Sequence, residues 1–321
     1  MPTLRLSPDD SKIPNTFAET TPWCEEDSPQ SSSRIPSLVA AWKRSASWQD
    51  FSDYRLMPGR PSRSAPLPDW VNPALRTALV SRGIDSLYSH QREAIQSLRD
   101  GSDVVVATPT ASGKTLCYNL PVFDALLEDP AARALYLFPT KALARDQMES
   151  ARRLAEAIAS SDAAPHGAKA PDLGVAVYDG DTPPDQRRVA RKRARIIATN
   201  PDMLHAGILP HHTNWGQFLS GLRYVVIDEL HTYRGVFGSH VANVLRRLQR
   251  LAQFHGSRIT FIATSATIAN PRELAAQLFG RDERETTTRI QVIENSGAPA
   301  GERHFAVYNP PVIDPALGLR E

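Results

Sequence analysis

Seven short apolar runs recur along this chain after residue 67, and helical patterns separate several of them. Most of the runs are continuous instead of alternating with polar residues. Strands of a parallel sheet that is covered on both faces have this pattern, because both sides of each strand are buried. The sequence therefore predicts a three-layer α/β domain with a mostly parallel sheet. The predicted strands are 104–107, 134–138, 174–178, 196–198, 224–227, 259–263 and 290–293.

The region before this domain has a different composition. Residues 1–34 are rich in serine and proline and have few apolar residues to offset the entropy lost on ordering, so we expect a disordered tail. Residues 35–66 carry Trp42, Trp48 and Phe51 in a short amphipathic pattern, followed by a stretch rich in proline, arginine and serine. We interpret them as a docking segment and linker, and we assign the α/β domain to 67–305.

Composition narrows the class of protein. The 37 basic and 35 acidic residues give a formal charge of +2, so any nucleic-acid contact must come from local clusters. Two cysteines, Cys24 and Cys117, are too few for a disulfide framework and predict free thiols in a reducing compartment. No apolar run is long enough to span a bilayer, and the first ten residues have no apolar signal core. We expect a cytoplasmic protein without a membrane partner.

The loop after the first predicted strand carries the most specific motif, and a helical pattern at 116–127 follows it. The loop consists of Thr108, Pro109, Thr110, Ala111, Ser112, Gly113, Lys114 and Thr115. Backbone N–H groups in such a turn bind polyphosphate, Lys114 can reach the β and γ phosphates, and the Thr115 hydroxyl can ligate Mg²⁺. The strict motif begins with glycine where this chain has Thr108, so a chance Gly-Lys-Thr in a strand-to-helix turn is the alternative.

Two adjacent carboxylates end the apolar run at 224–227. Asp228 and Glu229 would repel each other there unless a cation or a catalytic role offsets the repulsion. On the nucleotide interpretation, Asp228 holds Mg²⁺ through water and Glu229 deprotonates the water that attacks the γ-phosphorus. Acidic residues are also common at helix N-termini, which is the structural alternative. Together with Lys114, the pair predicts hydrolysis of a nucleoside triphosphate.

Other polar groups precede or follow the predicted strands. The Gln91 amide can pair with adenine N6 and N7, which would select ATP, although a glutamine at a helix start is usually solvated. Donors after two further strands suit phosphodiester oxygens. These candidate nucleic-acid contacts are Pro139, Thr140, Lys141, Thr199 and Asn200.

A basic run follows the strand predicted at 174–178. We hypothesise that part of it contacts a nucleic-acid backbone, and the alternative is a solvated helix face. The run consists of Arg187, Arg188, Arg191, Lys192, Arg193 and Arg195.

In their order, these motifs resemble the first RecA-like motor domain of the superfamily 2 DEAD/DEAH-box helicases. Gln91 resembles the Q motif, and the remaining motifs are TPTASGKT, PTKALARDQ, TNPDML, DELH and SAT. The resemblance covers about 84–280. The wording around DELH and SAT is most similar to the mitomycin-repair helicases of the MrfA or YprA type, which carry a C-terminal zinc-binding domain.

This resemblance implies a RecA-like P-loop NTPase fold, with ATP hydrolysis coupled to translocation along single-stranded DNA in repair. It also implies that His231, Ser265 and Thr267 couple the state of the γ-phosphate to the grip on nucleic acid. The loop departs from the family pattern at Thr108 and Ala111, which puts its exact backbone geometry in question.

The family cleaves ATP between two RecA-like domains, and the second domain supplies an arginine finger. Its Gln-x-x-Gly-Arg-x-Gly-Arg motif does not occur in these 321 residues, so we interpret 306–321 as the linker to a missing second domain, supplied in cis or in trans. We expect these residues alone to bind ATP and hydrolyse it very slowly. The alternatives are a truncated, non-hydrolysing nucleic-acid-binding module and half of an RNA helicase.

Overall fold

A computed structural model describes residues 24–26, 35–45, 48, 50–161, 172–282, 289–310, 312–314 and 319–320 of the chain. The strands are β1 Cys24–Glu26, β2 Phe51–Met57, β3 Ser62–Pro66, β4 Ser86–Tyr88, β5 Asp103–Val106, β6 Arg133–Leu137, β7 Val175–Val177, β8 Ile196–Thr199, β9 Leu222–Ile227, β10 Thr260–Thr264, β11 Ile290–Ile293, β12 Arg303–Tyr308, β13 Val312–Asp314 and β14 Leu319–Arg320. The α-helices are α1 Ile35–Arg44, α2 Pro73–Val80, α3 Ser89–Arg99, α4 Lys114–Glu128, α5 Lys141–Ala159, α6 Pro184–Arg193, α7 Pro201–Met203, α8 Gly216–Ser220, α9 Gly235–Phe254 and α10 Pro271–Phe279.

All seven predicted strands lie in one sheet, in the order β11-β5-β10-β9-β6-β8-β7. Every neighbouring pair in this sheet is parallel. The central strands β5, β8 and the last four residues of β9 are completely buried, which explains why their sequences are continuously apolar. The predicted α/β class is confirmed, and the strand ends differ from the prediction by no more than two residues.

Helices cover both faces of the sheet and bury two apolar clusters. One cluster includes residues of α2, α3, α4 and α5, and the other includes residues of α8, α9 and α10. Helix α9 shows the reason, because Val241, Leu245 and Leu248 recur at helical spacing and are buried against the second face. Among the helices of the described residues, none has the length and apolar character needed to cross a bilayer.

The region before the sheet pairs with both neighbouring and distant parts of the chain. Strand β3 pairs antiparallel with β1 and β4, and β2 forms an antiparallel ribbon with β12. The predicted domain boundary between 305 and 306 therefore falls inside a strand. The predicted disorder of 1–34 lies outside the described residues, apart from Cys24–Glu26 in β1.

Because the sheet is parallel, the loops that follow β5, β6, β8, β9 and β10 emerge at the same edge. Ligands of open α/β sheets bind at this edge, beyond the carboxyl ends of the strands. The edge brings together the segments of the TPTASGKT, PTKALARDQ, TNPDML, DELH and SAT motifs.

Candidate active site

The loop between β5 and α4 is folded around its own lysine. The Lys114 ammonium donates to the carbonyl oxygens of Thr108 and Pro109 at 2.9 and 3.0 Å. The hydroxyls of Thr108 and Ser112 lie 2.7 Å apart and close the loop from inside. Ala111, one of the two departures from the family pattern, has a φ of +61°, a conformation that costs a residue with a Cβ about 1 kcal/mol or more.

The two acids follow β9, which is separated from β5 only by β10. Asp228 is 9% exposed, and its Oδ1 accepts hydrogen bonds from the Thr264 hydroxyl and from the Glu229 N–H, the latter at 3.0 Å. Burial lowers the pKa of the Lys114 ammonium, whereas the negative charges of Glu229 and Asp228 raise it. The lysine of one motif and the acids of another therefore share one electrostatic environment.

Thr115 contacts Gln147, the last residue of the PTKALARDQ motif, to which the sequence analysis gave no individual role. Its hydroxyl donates to Gln147 Oε1 at 3.2 Å, and the Tyr118 hydroxyl donates to the same oxygen at 3.0 Å. With its proton directed to Gln147, Thr115 Oγ1 keeps its lone pairs for a cation. Thr115 and Asp228 thus offer the hard oxygen donors that Mg²⁺ prefers, and the predicted pair of ligands fits this ion chemically.

Two of the three residues expected to act in coupling contact the acid pair or each other. His231 Nδ1 lies 3.2 Å from Glu229 Oε2, and Ser265 Oγ lies 3.4 Å from His231 Nδ1. Ser265 is fully buried at the end of β10, whereas Thr267 is exposed two residues further along. The hydrogen bond from Thr264 to Asp228 joins the same two motifs and was not anticipated from the sequence.

Gln91 joins the start of α3 to the phosphate-binding loop. Its Oε1 accepts from the Tyr88 N–H at 2.9 Å, and its Nε2 donates to the Gly113 carbonyl at 3.0 Å. Each amide atom keeps one further donor or acceptor position for adenine. A cleft of about 410 Å³ opens beside these groups and is lined by Gln91, Gly113, Thr115, Leu116 and Pro299, among others.

The candidate nucleic-acid contacts differ in what they can offer. The Thr140 hydroxyl accepts from the Leu143 N–H and the Asn200 side chain accepts from the Met203 N–H, so both cap helices. The expectation for Thr199 is corrected, because its hydroxyl is 2% exposed and donates to the Tyr178 carbonyl at 2.6 Å. This side chain cannot offer a donor to a phosphodiester.

Lys141 and Pro139 lie next to Thr140 at the same sheet edge. Lys141 is exposed, and its ammonium lies 2.8 Å from a carboxylate oxygen of Asp181 in the loop after β7. Pro139 is half-buried and has no donor of its own. Lys141 is therefore the cation among these candidates that solvent, and hence a ligand, can reach.

The basic run is divided by the structure. Arg195 is 8% exposed, and its guanidinium donates to the carbonyls of Leu126 and Asp129 at 2.7 and 2.6 Å. Arg195 therefore does not belong to the part of the run that could contact nucleic acid. Because α6 runs from the end of β7 to the start of β8, Arg191 and Arg193 lie towards the sheet edge opposite the motifs. This position favours the solvated-face alternative for both residues.

Comparison with known proteins places this geometry in a family. The model of the DEAD/DEAH box helicases matches residues 88–274. The ATP-dependent helicase YprA of Bacillus subtilis is 49% identical over 261 residues, which are 81% of this chain and 32% of YprA. The ATP-dependent helicase HRQ1 of Saccharomyces cerevisiae is 46% identical over 234 residues, which are 71% of this chain and 20% of HRQ1.

A solved structure supports the same assignment. The crystal structure of the DUF1998 helicase MrfA bound to DNA and AMPPNP has a TM-score of 0.79 and 45% identity, and the match covers 89% of this chain and 37% of MrfA. This chain thus spans about a third or less of the length of these relatives. With motifs, fold and site in agreement, the chain belongs to the DEAD/DEAH box helicase family.

Proposed function

We propose that this chain is the ATP-binding motor domain of a DNA helicase or translocase that acts in repair on single-stranded DNA. One observation carries the proposal: Lys114 and the carboxylates of Asp228 and Glu229 converge at one edge of the sheet, where the negative charges of the two acids raise the pKa of the Lys114 ammonium. A cation and an acid pair in this arrangement suit binding and hydrolysis of a triphosphate.

The residues of the site have separable roles in this proposal. The Lys114 ammonium leaves the carbonyls of Thr108 and Pro109 to bind the β and γ phosphates, and the loop N–H groups bind the remaining oxygens. Thr115 and Asp228 would hold Mg²⁺, which neutralises charge on the phosphate oxygens when bound. The Glu229 carboxylate accepts the proton of the attacking water.

His231 links this chemistry to β10. Its Nδ1 lies near both the Glu229 carboxylate and the Ser265 hydroxyl, so movement of the acid during catalysis would reach the SAT segment through this one nitrogen. In this proposal a second RecA-like domain, in cis or in trans, completes the site with its arginine finger. Such a group contributes about 10³ to 10⁵ in turnover in comparable enzymes.

The cleft beside Gln91 is the proposed site of the base. Because the cleft lies next to Gly113, a nucleobase in it would be within reach of the Gln91 amide while the phosphates occupy the loop. The free amide hydrogen and lone pair match adenine N7 and N6, which supports ATP as the nucleotide.

DNA is the proposed polymer because the helicase MrfA was crystallised with DNA, and the match to MrfA covers 89% of this chain. Competition between single-stranded DNA and RNA of the same sequence tests this choice. We expect DNA to displace a labelled DNA strand at lower concentration than RNA does. Equal displacement would contradict the preference for DNA, and stronger displacement by RNA would favour the RNA-helicase alternative, because a protein group that faces the 2′-hydroxyl distinguishes the two polymers.

We expect Lys141→Gln to reduce the salt dependence of single-stranded DNA binding. One phosphate contact contributes about 0.7 to the slope of log K against log salt concentration. Titrations at several salt concentrations measure the slope, and the double variant Arg191→Gln/Arg193→Gln is the control, because these residues lie towards the opposite sheet edge. An unchanged slope for Lys141→Gln would show that this lysine pairs with Asp181 and does not contact a phosphate.

A further inference from the structure

The segment 294–302, here called the connector, joins β11 of the main sheet to β12 of the ribbon. Backbone hydrogen bonds join it to the segment around β3. The Arg63 N–H donates to the Gly297 carbonyl at 2.8 Å, and Arg60 and Ala300 exchange two backbone hydrogen bonds at 2.8 and 3.0 Å. The connector therefore lies along the segment that leads into β3. It is also outside the family match, which ends at residue 274.

A buried histidine fixes the middle of the connector. His90 is 0% exposed, and its Nδ1 accepts a hydrogen bond from the Gly297 N–H at 3.2 Å. Burial lowers the pKa of His90 to about 4, so the ring is neutral near pH 7. A neutral imidazole that accepts at Nδ1 carries its proton on Nε2. The ring also stacks on Tyr88, with centroids 6.0 Å apart.

The connector approaches α3 so closely that only glycine fits at the contact. A Cβ on Gly297 would lie 2.3 Å from Ser89 Oγ and 2.7 Å from the Arg63 carbonyl oxygen. The second of these is a backbone atom that has little freedom to move. The hydrogen bond from Gly297 to His90 thus belongs to a tight contact between the connector and the first turn of α3.

This contact is adjacent to the proposed base site. Gln91, the neighbour of His90, donates to the Gly113 carbonyl in the phosphate-binding loop. Pro299, two residues after Gly297, lines the same cleft as Gln91 and Gly113. His90 at Gly297 and Arg60 at Ala300 therefore hold the connector on both sides of Pro299, and His90 is the one of these contacts that is made by a side chain of α3.

We propose that His90 is a positioning residue, which holds the connector through Gly297 so that Pro299 forms a wall of the cleft for the nucleoside part of ATP. The proposal rests on the proposed function, because it assumes that the phosphates occupy the loop. It separates two parts of the ligand: the connector acts on the base and ribose, whereas Lys114 acts on the phosphates.

Binding of ATP and of inorganic tripolyphosphate, each with Mg²⁺, tests this separation in the full 321-residue chain. We expect His90→Phe to raise the Kd of ATP about tenfold, because the wall of the cleft would no longer be held in place before the base binds. The Kd of tripolyphosphate is expected to change less than about twofold, because this ligand has no base. His90→Asn keeps an acceptor near the position of Nδ1 and is expected to restore ATP binding to within about threefold of the wild type. His255→Phe, at the end of α9, is the matched control and is expected to change neither Kd.

Pro299→Gly alters the cleft wall at an exposed position and removes no buried side chain. It therefore tests the role of the connector in ATP binding even if His90→Phe does not fold. We expect it to weaken ATP binding and leave tripolyphosphate binding unchanged. Unchanged ATP binding in Pro299→Gly and in folded His90→Phe, or equal losses for both ligands, would overturn the inference. Failure of the proposed function would give a different result. The wild type would then bind neither ATP nor tripolyphosphate, or Lys114→Ala would leave the Kd of both ligands unchanged.

Discussion

Replacement of Lys114 by alanine is expected to weaken the binding of Mg²⁺·ATP about 10²-fold. The ammonium is partly desolvated and lies in the field of Asp228 and Glu229, and the proposed function assigns to it the charge of the β and γ phosphates. A hydrogen bond to a charged group contributes about 1.5–3 kcal/mol, and two such bonds to the β and γ phosphates account for a loss of this size.

Titration calorimetry with ATP and Mg²⁺ measures the effect of Lys114→Ala. Lys192→Ala is the matched control, because Lys192 is an exposed lysine on α6 that contributes nothing to the loop. We expect its Kd to equal that of the wild type. Retention of wild-type affinity by Lys114→Ala would remove the basis for a motor function, since the proposal assigns the β and γ phosphates to this side chain.

The second large effect concerns folding, and it arises at the opposite edge of the sheet. Asp103 at the start of β5 is 0% exposed and accepts a hydrogen bond from the Phe261 N–H of β10 at 2.8 Å. Its Oδ2 also lies 2.8 Å from two nitrogens of Arg281 and 3.4 Å from Arg289 Nε. One carboxylate thus balances two guanidinium groups and secures two neighbouring strands.

Asp103→Ala is expected to lower the free energy of unfolding by about 3–5 kcal/mol, because it removes the carboxylate that neutralises the buried Arg281 guanidinium. Urea unfolding measures the change, provided that the slope of the free energy of unfolding against urea concentration is the same in the variant and the wild type. Asp53→Ala is the control, since Asp53 pairs with Arg55 at the surface and such pairs contribute at most about 1 kcal/mol. A loss below about 1 kcal/mol for Asp103→Ala would show that solvent or other groups replace the carboxylate.

The sequence predicted the strands of the main sheet because each is buried on both faces and is therefore continuously apolar. It could not predict their order. Strand β5 lies between β11 and β10, which follow it by more than 150 residues. The sequence near β5 contains no feature that indicates which strands pair with it. The ribbon of β2 and β12 was missed for a related reason, since its strands expose several side chains and lack the continuous apolar pattern.

In the candidate site, too, some residues could be predicted from the sequence and their contacts could not. Lys114, Asp228 and Glu229 belong to short motifs whose chemistry is readable without a fold, and their convergence follows from the parallel sheet. Gln147 lies within the PTKALARDQ motif and His90 directly precedes Gln91, yet nothing in the sequence shows that these side chains contact Thr115 and Gly297.

Errors occurred where burial changes the meaning of a residue type. Arginine in a basic run is usually solvated, yet Arg195 satisfies carbonyls at the end of α4 and in the turn that follows. Threonine after a strand usually faces solvent, yet Thr199 turns inward to Tyr178. Both outcomes depend on tertiary packing, which a single sequence does not display.

The ribbon of β2 and β12 also affects how the protein is made. Tyr54 on one strand and His304 on the other are 250 residues apart along the chain, and their side chains meet at 2.8 Å. At ribosomal rates of about 5–20 residues per second, the first strand waits roughly 10–50 s for the second to be synthesised. During that time its edge is open to pairing with another chain.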